Sequence, residues 1–195
     1  MKLIAILFLV AGLSNCSKTH AQTNNIYIEQ VGSGNMFAVS QDGGGHTATI
    51  KTGLGGSVDV SSINISQQGI GVKTATVELV SGYSNSVTVN QDGNGQHSAT
   101  VQNYTGSANT ISITQTGSAN NSFSVIGGTG TTNNANNINV TQSGNVGADK
   151  LFTLNMNGTN GATVTVQQTN PTQSNSGSMS IQCFSNCTGY SYIRN

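Results

Sequence analysis

Charge is nearly absent from this sequence. Lys and Arg number six, Asp and Glu six, and charged residues make up only 6% of the 195 residues. Six cations cannot form the basic stripe that neutralises phosphates, which excludes a nucleic-acid binder. The same scarcity excludes a disordered chain kept soluble by charge. Trp is missing, Pro occurs once as Pro171, and hydrophobic residues reach only 34%. A conventional helical domain would carry far more Leu, Ala, Glu and Lys. What is present is Asn, Ser, Thr and Gln, punctuated by 25 Gly. Such a polar, β-rich composition points to internal repeats.

Cysteine is also scarce, at three residues. Cys183 and Cys187 lie four residues apart, compatible with a small local disulfide in an oxidising compartment and equally with two unpaired thiols. Without His or further Cys nearby they do not make a zinc site.

The first residues read as an address. Lys2 supplies a positive start, and Leu3 to Leu13 is an apolar run broken only by Gly12. It is too short for an ordinary membrane span. Thr19-His20-Ala21 offers a signal-peptidase site, and cleavage is placed after Ala21. Leu13-Ser14-Asn15-Cys16 is a rival lipoprotein-type site, with Asn15 departing from the small residue usual before the Cys. Either route predicts export. Removing residues 1–21 takes Lys2 and Lys18 away and leaves four cations against six anions.

The remainder is one phrase written six times: Phe37-x-Val39-x-Gln41, Ile63-x-Ile65-x-Gln67, Val87-x-Val89-x-Gln91, Ile111-x-Ile113-x-Gln115, Ile138-x-Val140-x-Gln142 and Val164-x-Val166-x-Gln168. The Gln-to-Gln steps are 26, 24, 24, 27 and 26 residues. Gly43, Gly69, Gly93, Gly117 and Gly144 follow two residues after Gln. Asn35, Ser61, Asn85, Asn109 and Asn136 stand six before it, and Ala162 replaces them in the last copy. Period two with one apolar face is the signature of a half-buried strand. The following Gly is expected to end it by adopting positive φ.

A looser series lies between these phrases, including Ala48/Ile50, Ala75/Val77/Leu79, Ala99/Val101, Phe123/Val125 and Phe152/Leu154/Met156. Ile26, Ile28 and Gln30 form an extra copy before the first full repeat, and Met179, Ile181 and Cys183 one after the last. About thirteen short strands are therefore expected, alternating between two stacks. Two strands per 24–27 residues define an all-β chain, a β-solenoid of stacked strand-turn-strand arches over 22–183 with amyloid-like rung stacking. Rungs stacked at about 4.8 Å pair their backbones with the rungs above and below. Ile26, Ile28, Phe37, Val39 and the Ile/Val pairs of the later phrases are the predicted core. Gln30, Gln41, Gln67, Gln91, Gln115, Gln142 and Gln168 are predicted to bond to one another as an amide ladder, with the Asn/Ser row doing the same at the other strand end. Isolated, each buried amide would be costly.

Asn24-x5-Gln30-x-Gly32-x2-Asn35-x5-Gln41 resembles the curlin repeat, and the resemblance extends over about residues 24–183. Later units keep one half of the pattern. In the other half His46/Thr52, Lys73/Leu79 and His97/Asn103 replace the family's Asn and Gln, so one ladder reads as complete and the other as largely lost. The resemblance implies a secreted subunit of curli, the amyloid fibres of bacterial biofilm matrix. It implies self-assembly into a homopolymer, an outer-membrane secretion pore, and a nucleator or major subunit as partner. The residues do not distinguish major subunit from nucleator.

Other signals are weaker. Asp42 and Asp92 sit in Gln-Asp-Gly turns, either as ordinary turn residues or as charges that slow premature stacking. Asp92-Gly-Asn94-Gly lacks the later acidic ligand of a calcium loop. The dispersed His and acidic residues offer no catalytic or metal cluster, so neither an enzyme nor a cofactor is expected. The rival reading is a monomeric solenoid that binds ice, a surface or a glycan. It is disfavoured because the outward rows of the Gln-bearing stack lack a regular Thr-x-Thr array. Residues 184–195 leave the pattern and are read as a frayed tail, with Tyr190, Tyr192 and Arg194 as the alternative docking residues.

Overall fold

A computed structural model describes residues 23–30, 36–52, 62–79, 85–102, 109–127, 136–184, 187 and 189–195. The predicted leader at 1–21, Cys16 and the ladder positions Asn35 and Ser61 lie outside these residues. Among the described residues there are fourteen strands and no helix. In chain order they are β1 Asn25–Gln30, β2 Met36–Asp42, β3 Thr47–Thr52, β4 Ser62–Gln68, β5 Lys73–Leu79, β6 Ser86–Asp92, β7 His97–Gln102, β8 Thr110–Gly117, β9 Asn121–Gly127, β10 Asn137–Gly144, β11 Lys150–Asn157, β12 Thr163–Gln168, β13 Asn175–Gln182 and β14 Gly189–Arg194. Odd-numbered strands form one seven-stranded sheet and even-numbered strands another, each in strict order along the stack.

Every pairing is parallel, and the register follows the sequence repeat. Ile63, Val87, Ile111, Ile138 and Val164 stand in one row, and Ile65, Val89, Ile113, Val140 and Val166 in the next. A one-residue slip would turn both rows to solvent, so burial fixes the register. The two inner faces meet in a single core. Ala48, Ala75, Ala99, Phe123 and Phe152 come from the odd sheet, where the Phe rings stack at 5.8 Å. The chain is therefore a parallel β-solenoid, as the repeat predicts.

The turns after Gln explain the first four glycines. Gly43, Gly69, Gly93 and Gly117 have φ of 114°, 98°, 108° and 96°. A Cβ on Gly69 or Gly93 would also run into the carbonyl of the equivalent glycine one rung on. Gly144 departs from the prediction. It ends β10 within the strand, and the left-handed residue is Gly147, at φ 81°, because this turn is longer.

The structure corrects three further expectations. Ile26 and Ile28 are 47% and 45% exposed, because β1 is an edge strand with no rung beneath it. Phe37 and Val39 on β2 are half-buried for the same reason. Gln30 belongs to the odd sheet, in register with Thr52, and so does not share the row of the other six glutamines. Within 184–195, residues 189–195 do not fray. Gly189–Arg194 forms β14, which pairs with β12 and places Tyr190 and Tyr192 beside Val164 and Val166. Tyr192 reaches across the core to Phe152, ring centroids 4.7 Å apart, over the space left by Gly177. Tyr-Ser-Tyr has the same period two as the earlier phrases, with aromatics in place of Ile and Val.

Candidate functional site

The functional elements of a solenoid are its interior ladders, its outer faces and its two ends. The glutamine ladder is continuous from Gln41 to Gln168. Nε2 of Gln41 donates to Oε1 of Gln67 at 2.7 Å, and the relay continues at 2.9, 2.8, 2.8 and 2.7 Å to Gln91, Gln115, Gln142 and Gln168. The second hydrogen of each inner Nε2 goes across the core to a main-chain carbonyl of the odd sheet: Thr47, Thr74, Ser98 and Ser122 in turn. Each amide therefore ties the two sheets together as well as the rungs. The donors all point the same way along the stack.

The Asn row is shorter. Asn109 Nδ2 donates to Asn85 Oδ1 at 3.1 Å. Asn136 turns instead to the Thr159 hydroxyl at 2.9 Å and accepts from the Ala162 N–H, because the next residue in its row carries no amide.

The second row is not lost but rewritten. Asn24, His46, Lys73, His97, Asn121 and Lys150 occupy equivalent places at the start of the odd strands. Every one donates to arch-turn or strand-end carbonyls. Asn24 donates to Gly43 O at 3.0 Å, and Asn121 to Thr116 O at 3.0 Å. His46 Nε2 bonds Asp42 O at 3.0 Å and His97 Nε2 bonds Asp92 O at 2.9 Å. A carbonyl only accepts, so both rings carry hydrogen at Nε2. Lys73 Nζ donates to the carbonyls of Gly71, Gly93 and Gly95 at 2.7–2.9 Å. Lys150 Nζ bonds Ala148 O and Gln173 O, both at 2.6 Å. Asn, His and Lys are interchangeable here because the turn needs a donor, not an amide. Sequence comparison with an Asn/Gln pattern cannot register that equivalence.

Both lysines are buried, and burial holds their ammonium groups below the usual lysine value, with Asp92 and Asp149 respectively opposing. Burial likewise holds His97 below its ordinary 6.5; the Asp92 carbonyl opposes this and the Lys73 charge adds to it. The expected consequence is an acid-sensitive contribution to stability. The stability contributed by neutral His97 is full above about pH 6.5. It declines as pH falls from there through the depressed folded value, because the unfolded chain takes up the proton first. Unfolding midpoints measured from pH 7.5 down to 5 should show this decline, and His97→Asn, which keeps a donor in the row, should flatten it. An equal slope in the variant would assign the decline to another group.

Cys183 and Cys187 form a disulfide between β13 and β14. Among the described residues no three His, Cys, Asp or Glu side chains group as metal ligands.

The outer faces hold a feature that sequence reading missed. On the odd sheet Thr49, Thr76, Thr100, Ser124, Thr153 and Ser178 line up in one row, with Thr47, Thr74, Ser98 and Ser122 beside them. The hydroxyl array lies on the looser strands, not on the Gln-bearing stack.

Among the described residues both ends of the stack are open strand edges, β1 with β2 at one end and β13 with β14 at the other. Exposed apolar side chains lie at both: Ile26, Ile28 and Met36 at the first, Phe184 and Ile193 at the second. No family of known proteins, no curated protein and no solved structure matches this chain.

Proposed function

We propose that this chain is an exported structural subunit that polymerises head to tail into curli-type fibres, serving cell adhesion and matrix cohesion. One observation carries the reading: among the described residues the solenoid has an unpaired parallel edge at each end, with exposed apolar side chains at both. An open edge offers a row of N–H and C=O groups to another chain. An end that fits the opposite end of an identical copy makes a contact that does not close, and so grows a fibre. The curlin resemblance of residues 24–41 points the same way, and it adds a secretion pore and a nucleating or major subunit as partners. Catalysis has no part in this reading.

The test is fibre diffraction on residues 22–195, diluted from denaturant to micromolar concentration. Insoluble filaments with a meridional reflection at about 4.8 Å are expected. A folded monomer that stays soluble for days would sink polymerisation as the function.

The hydroxyl rows of the odd sheet favour a second reading, a solenoid that binds an extended glycan or an ice surface along that face. It requires the soluble monomer that the first reading forbids. Thr76→Tyr and Thr100→Tyr, which keep strand propensity, should then abolish ice shaping or glycan retention.

A further inference from the structure

The two ends of the stack differ in what they lack. At the first end Gln41 Oε1 is enclosed and has no donor among the described residues, whereas every later Oε1 of the ladder accepts from the glutamine one rung before it. Among the described residues Gln41 has no such rung. At the second end the deficit has the opposite sign. Asn175 Nδ2, on the edge strand β13, is a buried donor with no acceptor among the described residues. On the edge strand β14 the ladder position beyond Gln168 is Arg194, exposed at the end of the stack. A guanidinium donates only, so Gln168 Nε2 finds no acceptor there and turns to the carbonyls of Leu151 and Asn175.

We propose that Arg194 of one copy forms the joint with Gln41 of the next, supplying from the second end the donor that the first oxygen of the glutamine ladder lacks and allowing stacking in one direction only. The proposal rests on the head-to-tail reading above. Continuing the register of β12 with β14 and of β2 with β4 sets Arg194 opposite Gln41, Tyr192 opposite Val39 and Tyr190 opposite Phe37. The aromatic pair of the second end thus covers the half-buried apolar row of the first. Two first ends brought together would oppose acceptor to acceptor, and two second ends donor to donor. A charge-assisted bond to a desolvated amide oxygen is among the stronger hydrogen bonds available.

Seeded elongation of residues 22–195 tests this, with loss of monomer followed by sedimentation. Arg194→Ala is expected to slow elongation about tenfold or more, since the enclosed oxygen then stays without a donor. Arg194→Gln, which still donates, should retain most of the rate. Arg194→Glu should stop growth at the second end of wild-type fibres, because its own first end still docks there while its position 194 then turns a carboxylate toward the next Gln41 oxygen. The Arg194 side chain is exposed in the free chain, so unfolding midpoints of the monomeric variants, taken before seeding, should match wild type. Wild-type fibres that elongate equally with Ala, Gln or Glu at position 194 would overturn the joint and leave polymerisation standing. A wild type that never elongates would overturn both.

Discussion

Gln115→Ala is expected to destabilise the solenoid by about 2–5 kcal/mol, the sum expected for leaving buried amide groups unpaired. Gln115 lies in the middle of the ladder. It accepts from Gln91 Nε2 and donates to Gln142 Oε1, both at 2.8 Å, and its remaining hydrogen goes to Ser98 O at 2.9 Å. Alanine takes away all three. Gln142 Oε1 is left without the donor that the ladder gives it. The removed side chain also leaves a void at the turn end of β8, where its Nε2 reached Ser98 O. Gln115→Glu tests the polarity of the ladder: with two acceptor oxygens it faces Gln142 Oε1 with like charge density and should cost at least as much. Thr114→Ala, one residue away and facing outward, should stay within about 0.5 kcal/mol. Denaturant midpoints at constant m decide between these outcomes. A Gln115→Ala midpoint equal to wild type would mean that the apolar rows alone set the register.

The second large effect is expected at Lys73. Its ammonium is enclosed by three carbonyls of two successive turns and so clamps one arch to the next. Lys73→Met keeps most of the volume but leaves those carbonyls without their donor, at an expected cost of about 2–4 kcal/mol. Lys73→Asn supplies the donor used by Asn121 in the same row and should recover part of that loss. A Met variant as stable as wild type would show that desolvating the charge offsets the bonds it makes. The pH response separates the two contributions. Burial lowers the folded Lys73 value below 10.5, partly opposed by Asp92. Between that lowered value and 10.5 the unfolded chain binds more protons than the folded one, so wild-type stability gains from Lys73 as pH rises through this window. Lys73→Met should lack this component of the alkaline limb.

Strand positions, the two alternating stacks and the parallel register were legible before any coordinates, for a definite reason. When a chain stacks on itself at a fixed period, residues one period apart become neighbours, and the sequence lists the contacts directly. Ile63, Val87, Ile111, Ile138 and Val164 read as a row in one dimension and stand as a row in three. The glutamine ladder was legible on the same ground from Gln41 onward.

Where the period weakens, legibility weakens with it. His46, Lys73, His97 and Lys150 share no chemical likeness with Asn121 except the ability to donate, and only the position of the turn carbonyls reveals that this is what counts. Gln30 matched the glutamine phrase by residue type but entered the other sheet, because one extra arm precedes the first full repeat. Tyr190 and Tyr192 hid a fourteenth strand. Their rings fit because Gly177 leaves room above Phe152, a fact about two strands distant in the chain.

The sequence by itself determined the repeat, the strand faces and the core rows, since each depends only on spacing along the chain. Tertiary structure alone decided the direction of the ladder, the donor role of the buried lysines and the opposite deficits at the two ends. Those properties depend on which atoms have no rung beyond them, and an end is a feature of the assembled stack, not of any one repeat.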